Sequence, residues 1–451
     1  MKNNRHVVII GNGISGVTCA RQLRKLDSHV KITLISGESK YFFSRTALMY
    51  VYMGHMKFEH TQPYEPWFWE KNRIDLVEGW VESVDFTSKT LHFKSGDNLA
   101  YDDLVIATGS KPNKFGWPGQ DLMGVQGLYS KQDLESMESL TKEGVNRAVI
   151  VGGGLIGIEM AEMLAYKKIP VTFLVRESGF WNNILPKEES ELVGRHILEH
   201  HIDLRLEEEL AEIISDQNGR VKAVKTKSGE EILCQFVGLT AGVSPNIDFL
   251  KNSVLEVNRG VKVDFHFQTN IPNVYAIGDC AEFHQAPAED RRPIEQVWYT
   301  GRMHGETLAY TLNGQATAYK PGVWFNSAKF LDIEYQTYGT VPPIWSAEEI
   351  TSFYWEHSSG KVAFRLLMNK SGEIKGVNNF GFRLRHEFFD RAIKEKWKGE
   401  NVISKLEKAN FDPEFFAPYY LEIQKSFNAQ FGTSIQTSKK TFIQKLFGAS
   451  V

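Results

Sequence analysis

The chain has 451 residues, enough for roughly three domains at about 150 residues each. With 42% apolar and 24% charged residues it can bury ordinary globular cores, and a formal net charge of -3 gives no reason to expect a nucleic-acid partner. Its three cysteines, Cys19, Cys234 and Cys280, are too few and too scattered for a disulfide framework, a zinc site or a Cys-x-x-Cys redox pair.

The basic start, Met1 to Arg5, runs into Val7-Val8-Ile9-Ile10, but Gly11 interrupts that apolar run too early for a signal peptide. Nor does any apolar run reach the roughly 20 residues needed to span a bilayer, so a cytoplasmic protein is expected. The same apolar run instead reads as a strand that enters Gly11-Asn-Gly13-Ile-Ser15-Gly16, followed by helical spacing to Leu26. In that pattern the glycines serve a tight turn, backbone approach to a pyrophosphate and close helix–strand packing, and the helix N-terminus faces the phosphates. A second strand, Lys31 to Ile35, closes the unit, and Glu38 is the acidic residue expected on the ribose hydroxyls.

A second copy follows: Ala148-Val-Ile-Val151 enters Gly152-Gly153-Gly154-Leu-Ile156-Gly157-Ile-Glu159, and the strand Val171 to Val175 comes after its helix. Two Rossmann units in one chain imply two dinucleotides, a flavin paired with a nicotinamide. At the end of the second unit's second strand, Val175 stands where an NADH site places an acid, and Arg176 follows. An arginine fork suits a 2′-phosphate, which favours NADPH, while Glu177 one residue on keeps NADH open.

These motifs resemble the FAD-dependent pyridine nucleotide oxidoreductases, the class of glutathione reductase, ferredoxin reductases and nitrite reductase flavoprotein segments, over about residues 5 to 340. The resemblance implies that Ala107-Thr108-Gly109 is the crossing from the FAD to the NAD(P) domain and that Gly242, in Ala241-Gly242-Val-Ser-Pro245-Asn246, marks the return. It implies that Gly278-Asp279 is the second FAD motif, with Asp279 on the ribityl chain, and that Val81 in Gly79-Trp-Val81 meets the adenine.

The segment Phe43-Ser-Arg45-Thr46-Ala-Leu48 resembles the Tyr-x-Arg-x-x-Leu pattern of ferredoxin and nitrite reductases, which puts Arg45 on FAD phosphate or adenine. No cysteine lies between Cys19 and Cys234, so the thiol chemistry of the disulfide reductases is excluded. Tyr50 stands where the branch usually has a lysine paired with the glutamate of the second glycine motif, here Glu159. Trp298, after Gln296-Val, and Trp324, in Gly322-Val-Trp324-Phe325, resemble aromatic positions that line the flavin.

The expected fold is α/β: a discontinuous FAD domain (1–117 and 245–320), an NAD(P) domain (118–244), a small α/β cap (321–382) and a helical extension (383–451). The cap shows strand patterns at 362–368 and 374–378, and the extension shows helical stretches at 383–396 and 419–430. The basic amphipathic end at 439–447 reads as a terminal helix, with membrane contact the less favoured alternative. The expected function is hydride transfer from NADPH or NADH to FAD and then electron transfer to an iron–sulfur protein such as a ferredoxin or rubredoxin, in a monomer or homodimer. Two alternatives stay open, a quinone reductase of the type II NADH dehydrogenase kind and an NAD(P)H-sensing protein resembling apoptosis-inducing factor.

Overall fold

The structure is a computed structural model; residues 5–142, 144–411 and 417–435 are described. It divides into two units, the first holding the described residues up to Phe180 together with Ile197–Gly322, the second Trp181–His196 together with the described residues from Val323 on.

The first unit contains two parallel sheets built on one plan. In one, the strand order is Val274–Ala276, Asp103–Ile106, His6–Ile10, Lys31–Ser36, Ile74–Glu78. In the other it is Asp203–Leu206, Val171–Val175, Ala148–Val151, Phe236–Leu239, Val125–Gln126. Read from opposite ends, each places its glycine-motif strand between the strand that follows it and a later returning strand. Val7 through Ile9 and Ala148 through Ile150 are all 0% exposed. Such continuous apolar strands are what a sheet covered on both faces requires. The helices after the glycine motifs are Ile14–Leu26 and Leu155–Tyr166.

The second unit is organised on an antiparallel sheet of order Phe325–Phe330, Ile333–Gly339, Ile374–Phe380, Ala363–Asn369, Ile350–Glu356. The two strand patterns expected between 362 and 378 are the pair Ala363–Asn369 and Ile374–Phe380, on either side of the Lys370-Ser371-Gly372 turn. Helices His386–Lys394 and Tyr420–Phe431 fall within a few residues of the helical stretches read from sequence. Phe389, Ile423 and Phe427 from these helices share one core with Phe353, Phe364 and Val377 of the sheet. The helical stretches are therefore packed parts of that unit. The basic stretch 439–447 lies outside the described residues.

Candidate functional site

Both glycine motifs have the same geometry. Gly11 and Gly152 each sit at φ +114°, where an L side chain is strained. A Cβ at Gly11 would fall 2.1 Å from the Ala107 carbonyl oxygen, and one at Gly152 would fall 2.8 Å from the Thr240 carbonyl. The third glycines are equally hemmed in. A Cβ on Gly16 would meet the Gly11 carbonyl at 2.1 Å, and one on Gly157 the Gly152 carbonyl at 2.4 Å.

The middle glycines differ in kind, because a Cβ on Gly13 or Gly154 would meet nothing within 4 Å. Each of them is also the N-cap of its helix, with no side-chain cap and no acidic residue in the first turn. Ser15 and Ile156 lie in those first turns. Each helix thus presents uncapped N–H groups and the positive end of its dipole toward open space, at the carboxyl end of a central parallel strand. That cradle fits a dinucleotide pyrophosphate, and the first unit holds two of them.

Around the first cradle the expected FAD residues converge. Glu38 and Arg45 form a bidentate pair, Nη1–Oε1 and Nη2–Oε2 both at 2.8 Å. The Arg45 guanidinium lies over the Phe43 ring at 5.2 Å and the Tyr129 ring at 4.4 Å. Glu38 also accepts from the Lys131 amide at 2.8 Å. Ala107 donates its amide to the Ile10 carbonyl at 2.8 Å, and Thr108 donates its hydroxyl to the Asn246 carbonyl at 2.8 Å. The strand Ser110–Pro112 pairs antiparallel with Val243–Pro245, which brings the two expected crossings, Thr108-Gly109 and Gly242, side by side.

Asp279, in the tight turn Gly278–Cys280, accepts from the Ser110 hydroxyl at 2.9 Å and from the Tyr129 hydroxyl at 3.4 Å. Burial pushes the Asp279 carboxyl upward, and its hydrogen bonds from Ser110 and the nearby Arg45 charge pull the other way. Gln296 Nε2 in turn donates to Ser110 Oγ at 2.8 Å. Ser110, Tyr129 and Gln296 are therefore part of this cluster although the sequence reading did not place them there. Ser110 directly follows the Ala-Thr-Gly motif, which was a usable signal, whereas Tyr129 stands in an unpatterned loop.

Val81 opens a strand of a small antiparallel sheet, and the neighbouring Trp80 indole lies flat against Gly37, where a Cβ would fall 2.3 Å from the ring. Trp298 opens the helix Trp298–Leu312 and is 37% exposed. Trp324 belongs to the second unit. Glu159 is half-buried in the second Rossmann helix. Tyr50, in the lysine's place, stacks on His55 at 6.1 Å, and His55 meets Tyr166 edge-on at 4.8 Å. Arg176, beyond the last residue of its strand, is paired with Glu177 at 2.7 Å, its own side chain 72% exposed. All three cysteines are buried, and burial pushes the thiols of Cys19 and Cys234 up to about 12. No thiolate is therefore available near either cradle at neutral pH.

Among the described residues, no helix is long and apolar enough to cross a membrane. Residues 5–305 match the pyridine nucleotide-disulphide oxidoreductase family. The chain is 28% identical over 286 residues to the assimilatory nitrate reductase electron transfer subunit of Bacillus subtilis, a match covering 62% of this chain and 36% of that protein. It thus spans only about a third of that larger relative. It is 30% identical over 340 residues to a ferredoxin–NAD(P)(+) reductase of Sphingomonas sp., covering 74% of this chain and 80% of that one. The fold matches an NAD-dependent persulfide reductase from A. fulgidus with TM-score 0.80 at 22% identity, over 95% of this chain and 84% of that one. The chain belongs to the pyridine nucleotide-disulphide oxidoreductase family, whose members are FAD-dependent and use NAD(P)H.

Proposed function

We propose that this chain oxidises NADPH or NADH and hands electrons to an iron–sulfur protein of the ferredoxin or rubredoxin kind. The observation that carries this reading is the pair of open, uncapped glycine cradles in one unit, Gly13 and Gly154, combined with three cysteines that are all buried. Two cradles supply two dinucleotide sites, and the lack of an accessible thiol sends electrons out of the protein. The Sphingomonas relative's name agrees with that direction.

Bound in the first cradle, FAD would supply the chemistry of accepting a hydride and releasing electrons singly. The chain's own part is placement. Gly11, Gly13 and Gly16 would let the backbone approach the pyrophosphate, with the helix at Ile14 supplying N–H donors. Glu38 would bind the ribose hydroxyls, Arg45 the phosphate or adenine, and Val81 the adenine edge. Asp279 would accept from the ribityl hydroxyls, with Ser110 and Tyr129 orienting it. In the second cradle Gly152, Gly154, Ile156 and Gly157 would hold the nicotinamide dinucleotide, with Arg176 on a 2′-phosphate. Glu159 would face the nicotinamide end, and Trp298 would cover the ring system.

The deciding experiment is anaerobic reduction of the flavin-loaded protein by NADPH and by NADH, followed by mixing with ferredoxin, rubredoxin or a quinone. Bleaching by a nicotinamide and fast reoxidation by an iron–sulfur protein supports the proposal. Reoxidation by quinone alone replaces it with the quinone-reductase reading. A flavin that no nicotinamide bleaches removes the second cradle as a hydride-donor site.

A further inference from the structure

Behind the Gly278-Asp279 turn lies a buried polar cluster to which the reading above gives no task. His304, two turns into the helix Trp298–Leu312, is 1% exposed. Its Nδ1 accepts the backbone N–H of Gly278 at 3.1 Å. A ring nitrogen that accepts carries no proton, so the neutral imidazole must hold its proton on Nε2. That Nε2 has no hydrogen-bond partner, and Glu295 Oε2 lies 3.7 Å from it.

Glu295 is itself fixed from two sides. Arg291 Nη1 donates to its Oε1 at 2.8 Å, and the Tyr319 hydroxyl donates to its Oε2 at 2.9 Å. The imidazole is walled by Phe267 at 4.8 Å, Phe283 at 5.5 Å and the edge-on Tyr319 ring at 4.6 Å. The ring is thus held in position, and the carboxylate facing Nε2 favours the tautomer that leaves Nδ1 free to accept.

The turn it serves has little freedom of its own. Gly278 sits at φ +73°, and a Cβ there would fall 2.3 Å from Ser15 Oγ. The helix carrying His304 approaches equally closely, since a Cβ on Gly305 would fall 2.4 Å from the Ser15 carbonyl. Ser15 belongs to the first turn of the first Rossmann helix, so the Gly278 turn, that helix and the His304 helix meet at one point.

We propose that His304 is a positioning residue for the flavin: by accepting the Gly278 amide it fixes the turn that presents Asp279, and Glu295 holds it in the accepting tautomer. The inference rests on the reading of Asp279 as a flavin ligand. The link is a buried backbone hydrogen bond. Its loss leaves the Gly278 amide without an acceptor beside the residue that would hold the ribityl chain.

The test compares wild type, His304→Leu and His304→Asn for FAD dissociation constant, visible flavin spectrum and melting temperature. His304→Leu keeps bulk and removes the acceptor. It is expected to weaken FAD binding about tenfold, the effect of one lost buried hydrogen bond, and to shift the flavin bands. His304→Asn offers an amide oxygen at the place of Nδ1 and is expected to restore both. A folded His304→Leu protein with wild-type FAD affinity and spectrum overturns the proposal and leaves the FAD reading standing. Wild-type protein that takes up no FAD overturns the functional reading and this inference with it. If His304→Leu does not fold, nitrogen-15 histidine spectra of the wild type decide, with the His304 signal identified by its loss in His304→Asn. A neutral ring protonated at Nε2 supports the proposal; a proton on Nδ1 ends it.

Discussion

Arg45 and Glu38, seven residues apart, are locked fork to fork, with both guanidinium–carboxylate contacts at 2.8 Å. Both are expected FAD residues, and each orients the other. Aromatic faces at Phe43 and Tyr129 hold the guanidinium flat, while the Lys131 amide holds the carboxylate. Only a planar, two-pronged cation satisfies this arrangement. Arg45→Lys keeps the charge and loses the fork, so FAD affinity should fall about tenfold, the equivalent of roughly 1.4 kcal/mol. Flavin fluorescence titration measures this, and unchanged affinity would remove Arg45 from the site.

The two cradles make a sharper prediction, because glycines in one motif should respond oppositely. Gly13 has φ -70° and open space where a Cβ would go, so Gly13→Ala should fold with near wild-type stability yet lose FAD. Gly16→Ala would drive a methyl to 2.1 Å from the Gly11 carbonyl and should cost stability outright, by about 1–3 kcal/mol as an overpacked site. Thermal unfolding of the apoproteins separates the two. The matching pair in the second motif, Gly154→Ala and Gly157→Ala, should behave alike toward NAD(P)H with FAD retained in the first.

How much of this was legible in the sequence follows from the physics of each feature. The glycine motifs and their strands were readable because close approach and two-sided burial leave few residue choices. The strand Val171–Val175 was read at its observed limits for that reason. Tyr129 was not readable: it reaches Asp279 across 150 positions through a loop with no periodicity. His304 was equally silent, since a helical histidine shows its role only when the amide it faces, Gly278, is placed. Ser110 and Gln296 lay beside recognised motifs, but their hydrogen bonds depend on strand pairing between distant segments. In the second unit, the strand pair after Val362 was visible as an apolar run broken by Lys-Ser-Gly, whereas its shared core with the later helices depended on tertiary packing.

Cofactor choice should reside at Arg176. Its guanidinium is exposed and pairs with its neighbour Glu177 at 2.7 Å, at the end of a buried strand. A 2′-phosphate would compete with Glu177 for the same fork. If NADPH is the substrate, Arg176→Ala should raise its KM about tenfold or more and leave NADH almost unaffected, while Glu177→Gln should strengthen NADPH binding. If instead Glu177→Gln weakens NADH and Arg176→Ala changes nothing, Glu177 is the ribose ligand and the enzyme is NADH-dependent. Steady-state kinetics with both nicotinamides give the answer.

In the second unit, Arg365 is 1% exposed and reaches Glu189 Oε1 at 2.7 Å, Glu188 Oε2 at 2.8 Å and Ser352 Oγ at 2.7 Å. Glu189 is 0% exposed, and its other oxygen accepts from Asn378 at 2.7 Å. Burial pushes the Glu189 carboxyl up to about 7, against the opposing pull of Arg365 and Asn378. Its folded pKa therefore lies above the usual 4.5, and the folded state binds the extra proton. That contribution to stability is fully present below about pH 4.5 and is lost as pH rises through about 7. Arg365→Met removes the cation and should cost about 3–5 kcal/mol at pH 8, because an uncompensated carboxylate stays buried. Without Arg365 the carboxyl titrates higher still, so the same variant should lose less stability at pH 6, where protonation relieves it. Adding Glu189→Gln should recover much of the loss at pH 8 and abolish the pH difference. Urea unfolding at the two pH values would measure all three proteins, and a penalty that is equal at both would mean that Glu189 is not the group left unpaired.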